Sequence, residues 1–124
     1  MITGMGTDII EVERVAAKIK KERGFRELVF TPIEIEYCET KANKFEHYAA
    51  RFAAKEAFLK ALGTGWTSGT AFNEIQITHD PQGRPKLDLI GQTAQSAATL
   101  NIGKILLSIA HLKTIASAVV IIEK

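Results

Sequence analysis

Cysteine is almost missing from this chain. Cys38 is the only one in 124 residues, which excludes an internal disulfide and a multi-cysteine metal site. The residue itself reads as a small filler on a helix. An excess of one charge is missing too: 16 lysines and arginines against 14 acids leave a net charge of +2, so any basic character that matters must be local. No run of apolar residues approaches the roughly 20 that a bilayer crossing takes, and the N-terminus lacks the basic-then-apolar order of a signal peptide. The expected compartment is therefore the cytoplasm, with no membrane partner. The three histidines, His47, His79 and His111, lack metal-ligand spacing, and each alone reads as a surface or satisfied core residue. What remains is the ordinary balance of a globular protein, 46% apolar and 24% charged, in a length that suits a single domain over residues 1–124.

The opening Ile2-Thr3-Gly4-Met5-Gly6-Thr7-Asp8-Ile9-Ile10 is rich in β-branched residues and reads as a first strand. Its two glycines predict a neighbour packed close to the backbone. Val12, Val15, Ala16 and Ile19 recur at helical spacing before Gly24, which predicts an amphipathic helix over 11–23. Thr31-Pro32-Ile33-Glu34 sets a hydroxyl cap, a proline at the first helical position and a first-turn acid, so a second helix should run to about residue 39. A long third helix follows from residue 45 and ends at Gly63-Thr64-Gly65. Residues 67–70 read as an exposed loop. A hairpin is expected from a strand over 73–79, the turn Asp80-Pro81-Gln82-Gly83 and a strand over 86–90. Last come a helix over 92–100, closed by Asn101 and Gly103, and strands over 104–111 and 117–123. With no repeat and no regular strand-helix alternation, the fold class is α+β, a mainly antiparallel sheet packed on a long central helix.

Within the long helix, Phe45, Ala49, Phe52, Glu56 and Leu59 repeat at helical spacing, so a carboxylate occupies a place where the period calls for an apolar residue. Such a charge needs a compensating partner. Lys60, one turn on, supplies one as an intrahelical ion pair. A second possibility involves Asp8: by itself it suits a helix cap, but if the first strand packs on the long helix the two carboxylates converge and require a cation between them. An all-oxygen site suits Mg²⁺ better than zinc. Arg14, Lys18, Lys20, Lys21, Arg23 and Arg26 crowd the first helix and its continuation, either as a solvated face or as a docking surface for an acidic protein. Nucleic acid is disfavoured, because no aromatics or reader motif interleave with the charges.

Taken together, Gly6-Thr7-Asp8-Ile9 with Arg14, the block Arg51-Phe52-Ala53-Ala54-Lys55-Glu56-Ala57-Phe58-Leu59-Lys60-Ala61-Leu62-Gly63, the turn Asp80-Pro81-Gln82-Gly83-Arg84-Pro85 and the closing Ser108-Ile109-Ala110-His111 resemble the holo-acyl-carrier-protein synthases, small 4′-phosphopantetheinyl transferases. The blocks stand in the family's order over nearly the whole chain. The resemblance implies transfer of the phosphopantetheine arm of coenzyme A onto a serine of apo-acyl carrier protein, releasing adenosine 3′,5′-bisphosphate, in support of fatty acid biosynthesis. It implies Asp8 and Glu56 as magnesium ligands and, with Lys60 on the phosphates, as the catalytic set. It further implies Arg51, Lys60, Gly83, Pro85 and His111 around coenzyme A, Arg14, Arg23 and Arg26 as carrier-protein contacts, and a homotrimer with sites between subunits. Two other classes use the same residues differently: a magnesium-dependent phosphohydrolase with water as acceptor, and a structural oligomer subunit in which Glu56 pairs with Lys60 or Arg51.

Overall fold

In the computed structural model, residues 1–63 and 71–124 are described; the loop expected at 67–70, with Thr64 and Gly65, lies outside them. The chain runs β1 (Ile2–Glu11), α1 (Val12–Lys21), α2 (Phe25–Val29), α3 (Pro32–Glu39), α4 (Lys44–Leu62), β2 (Ile75–His79), β3 (Pro85–Leu89), α5 (Gly91–Thr99), β4 (Lys104–His111) and β5 (Ile115–Glu123). Among the described residues every strand pairing is antiparallel, but the pairing falls into two sheets: β5 lies between β1 and β4, and β2 pairs only with β3. The expected α+β class holds, with a three-stranded sheet and a separate hairpin in place of one sheet.

Local chemistry explains most boundaries. The Thr31 hydroxyl accepts from the Glu34 amide while the Glu34 carboxylate accepts from the Thr31 amide, a reciprocal cap that starts α3 behind Pro32. Gly63 ends α4 with a left-handed φ of 75°. In the hairpin turn the Asp80 carboxylate accepts from the amides of Gln82 and Arg84, and Gly83 takes φ of 86°. Two elements differ from the sequence expectation. Gly24, also left-handed at 85°, ends the first helix as expected but redirects the chain into the short α2, a helix not expected from the sequence. The segment read as strand from residue 73 begins with a 3-10 turn, Phe72–Glu74, and becomes β2 only at Ile75.

Alternation along β5 sends Ala116, Ala118, Val120 and Ile122 inward onto α4. The helix answers with Ala53, Ala54, Ala57 and Ala61, all buried, and these small side chains let strand and helix backbones approach closely. Gly6 of β1 sits in that contact, so near α4 that a Cβ would collide with the backbone of Ala57 and Ala61. A second apolar cluster joins α1, α2, α3 and the first half of α4 through Val15, Val29, Phe30, Cys38 and Tyr48. Burial holds the Cys38 thiol up at about 12, so this lone cysteine is inert filler. Among the described residues no helix is long and apolar enough to cross a membrane.

Candidate active site

The close packing of β1 on α4 places Asp8 and Glu56 on the walls of one cleft of about 390 Å³, together with Arg14, Lys18, Phe52 and Lys60. Asp8 lies within β1, four residues before α1 begins at Val12, so its carboxylate does not cap that helix. Lys60 crosses to it: the ammonium donates to Asp8 Oδ1 at 3.0 Å and to the Thr7 carbonyl at 3.1 Å. The cation expected beside Glu56 on its own helix is thus engaged by Asp8 on the strand. Glu56 is half-buried, and its carboxyl is pushed above the ordinary carboxylate range, first by burial and then by the negative charge of Asp8, with Lys60 acting in opposition. A larger cavity of about 530 Å³ lies between α5 and the end of α4, lined by residues such as Phe58, Leu62, Thr93 and Ile102. None of the charged residues named here lines it, so size alone does not mark the chemistry.

The cleft fits a divalent cation on its own chemistry. Two carboxylates share it, and among the described residues the one ammonium that reaches them bonds Asp8 and not Glu56, which leaves the second under-compensated. No group of three or more His, Cys, Asp or Glu side chains suited to a metal gathers among the described residues. A two-carboxylate site with remaining positions left to water and phosphate oxygens is the pattern of Mg²⁺, which keeps much of its hydration.

Arg51, Gly83, Pro85 and His111 do not enter this cleft. They lie along a second patch organised by aromatic and imidazole rings. The Arg51 guanidinium stacks over the Tyr37 ring at 4.3 Å, Tyr37 stacks on His79 with centroids 5.3 Å apart, and His79 is the strand partner of Pro85 beyond the Gly83 turn. On the other side His47 stands edge-on to both Tyr37 and His111. Three histidines that look unrelated in the sequence therefore share one surface. His47 and His79 are both held below the ordinary histidine range, chiefly by burial and then by neighbouring positive charges that include Arg51. Arg51 is 1% exposed, and its Nε has no hydrogen-bond partner among the described residues, so this patch carries buried positive charge with unspent donor capacity.

On the expected docking surface Arg14 and Arg23 are exposed. Arg26 is half-buried and committed within the chain, bonded to Glu27 at 2.8 Å and Glu39 at 3.3 Å. Sequence reasoning also missed the most deeply buried charges. Lys55 and Glu34 are fully enclosed and meet at 2.7 Å; Lys55 also donates to the carbonyls of Phe72 and Ile75, and the Ile77 amide donates to Glu34. This pair fastens α3 and α4 to the hairpin. Glu56 looked like the buried anomaly because a single apolar face was assumed, whereas α4 is covered on nearly all sides and its more enclosed charges are Arg51 and Lys55.

A family model described as the 4′-phosphopantetheinyl transferase superfamily matches residues 4–119. A holo-[acyl-carrier-protein] synthase of Solibacter usitatus is 45% identical over 99% of both chains. The fold is similar to the crystal structure of a holo-[acyl-carrier-protein] synthase from Neisseria meningitidis, with a TM-score of 0.90, 33% identity and full coverage of both chains. It is also similar to one from Bacillus anthracis solved in complex with CoA (3′,5′-ADP), with a TM-score of 0.80, 34% identity and coverage of 98% and 96%.

Proposed function

Because this chain belongs to the holo-acyl-carrier-protein synthase family of 4′-phosphopantetheinyl transferases, we propose that it moves the phosphopantetheine arm of coenzyme A onto a serine hydroxyl of apo-acyl carrier protein, as one catalytic domain working in the cytoplasm in support of fatty acid biosynthesis. The observation that carries the mechanism is the cleft in which Asp8, Glu56 and Lys60 meet. Asp8 and Glu56 would hold Mg²⁺, which when bound neutralises charge on the pyrophosphate. Lys60 holds Asp8 in place and offers its ammonium to the phosphate oxygens as a mobile point charge. Lys60 thereby stabilises the charge that develops on the leaving adenosine 3′,5′-bisphosphate. The attacking serine must lose its proton, and Asp8 and Glu56 are the acceptors this cleft offers.

Arg51, Gly83, Pro85 and His111 receive the nucleotide end of coenzyme A, supported by the buried cation and free donor at Arg51. Exposed Arg14, on the rim of the carboxylate cleft, and Arg23 meet acidic side chains of the carrier protein. Arg26 contributes less, since two acids of its own chain already occupy it. A homotrimer with shared sites belongs to the same reading. It is supported by the outward face of the three-stranded sheet, where Met5, Ile9, Leu106, Ile115 and Val119 are exposed, and by the separation of the two patches on one chain.

Incubation with coenzyme A, Mg²⁺ and apo-carrier protein should add one phosphopantetheine arm to the carrier, read by intact mass. Release of adenosine bisphosphate with the carrier mass unchanged would instead indicate the hydrolase. Native mass spectrometry tests the assembly, and a monomer that transfers at full rate would sink the shared site.

A further inference from the structure

His111 closes β4 at the outer edge of its sheet and Glu46 stands in the first turn of α4, yet ring Nδ1 lies 2.9 Å from the carboxylate Oε1. Their side chains are 27% and 16% exposed, so the contact is better shielded from water than a surface ion pair. The hydrogen bond with His111 is the leading reason the Glu46 carboxyl sits below its ordinary range. An ionised carboxylate only accepts, so Nδ1 carries the hydrogen, and Nε2 is the nitrogen left for a ligand. The His47 ring, edge-on with its centroid 5.0 Å away, restricts rotation on one side.

We propose that Glu46 is a positioning residue, orienting His111 so that Nε2 meets a phosphate oxygen of coenzyme A. The inference rests on the reading of His111 as a coenzyme contact. With the carboxylate at one nitrogen and a phosphate oxygen at the other, the ring donates from both ends. Glu46 itself touches no substrate; it fixes the direction of a donor, much as outer carboxylates fix ligating histidines at metal centres.

A double-mutant cycle on steady-state kinetics tests this, with coenzyme A varied at saturating apo-carrier protein. Glu46→Ala should raise KM for coenzyme A on the order of tenfold and leave kcat within about twofold, as expected when a charge-assisted contact to the ground state is lost. Glu46→Gln keeps an acceptor in place and should recover part of the loss. In a His111→Ala background the same Glu46→Ala change should add nothing. Additive effects on KM, or a fall in kcat alone, would overturn the positioning role while leaving His111 as a contact. An unchanged KM in His111→Ala would remove both. Should Glu46→Ala fail to fold, Glu46→Gln in the two backgrounds completes the same cycle.

Discussion

Replacing Gly6 with alanine should damage both the fold and the chemistry, because one added methyl group has nowhere to go. A Cβ at this position would stand 2.6 Å from the Ala61 amide nitrogen and 3.0 Å from Lys60 Cβ, and nearer still to the Ala57 carbonyl oxygen, where ordinary contact begins at 3.4 Å. The nearest obstacles are backbone atoms of a buried helix, so no side chain can swing clear and β1 must retreat by about 1 Å or more. Overpacking of this kind costs roughly 1–3 kcal/mol, and a backbone clash belongs at the upper end. For a chain of this length, about 3 kcal/mol corresponds to a fall in Tm of roughly 10 °C. Asp8 lies two residues further along the same face of β1, and its 3.0 Å contact with Lys60 does not survive a shift of that size. A displacement of about 1 Å at reacting groups can remove roughly a hundredfold in rate. Thermal unfolding followed by circular dichroism, with initial rates of carrier modification, measures both effects. Thr7→Ala, at an exposed neighbour, serves as the control. A Gly6→Ala protein with the parent's Tm and rate would refute the close-packing account of how the cleft is built.

Glu56→Gln should abolish transfer and, with chelator present, raise stability near neutral pH. The folded carboxyl sits above its unfolded value of 4.5, so the stabilising contribution of its protonated form is complete below that value and is lost as pH rises through the folded one. The mutant's advantage in Tm should therefore vanish toward pH 4; an advantage that persists there would assign it to something other than charge. Lys55→Met leaves Glu34 buried without its cation and should cost about 3–5 kcal/mol in urea unfolding, whereas Lys55→Met with Glu34→Gln should recover much of that loss; equal losses in the two proteins would mean that the charge pair is not what matters. Arg14→Glu should weaken carrier-protein binding, measured by calorimetry, at least tenfold more than coenzyme A binding, as a reversed interface charge does, and equal losses would reject the docking face.

How far the sequence reached depended on how local each signal was. The Thr31-Pro32-Glu34 cap, the Gly63 stop and the Asp80-Gly83 turn are short-range chemistry, and they set α3, the end of α4 and the hairpin close to where they were expected. Gly4 and Gly6 announced a close approach, though nothing in β1 names α4 as the partner. The resemblance named Asp8, Glu56 and Lys60, whereas the crossing of Lys60 to Asp8 instead of its helical neighbour depends on how strand and helix dock. Long-range pairs stayed hidden for the same reason. Lys55 and Glu34 are 21 residues apart, and Glu46 and His111 are 65 apart; each looks like an ordinary surface charge until the fold closes. His47, His79 and Tyr37 carry no spacing signal at all, because three different elements bring their rings together.

The geometry of α4 also bears on the proposed assignment of the two patches to different subunits of one site. At about 100° per residue, Arg51 and Glu56 project about 140° apart around the helix axis, and the five-residue step from one to the other advances it only about 7.5 Å. A ligand held by Arg51 on one flank would have to wrap the helix to bring its pyrophosphate to Glu56 on the other. Packing obstructs both ways round: Lys55 is buried and Phe52 packs against Phe25 and Phe72 on the shorter one, and Ala53, Ala54 and Ala57 are buried on the longer. Two copies facing each other remove the difficulty: the ring patch of one protomer and the carboxylate cleft of its partner can address the two ends of an extended coenzyme without passing around α4. On the proposed shared-site reading the same helix would serve two sites, lending Arg51 to one and Glu56 to the other, and its rigidity would tie them together. A substitution that shifts α4 should on this account disturb both halves at once, whereas His111 and Asp8, held by separate strands at opposite edges of the sheet, should fail independently.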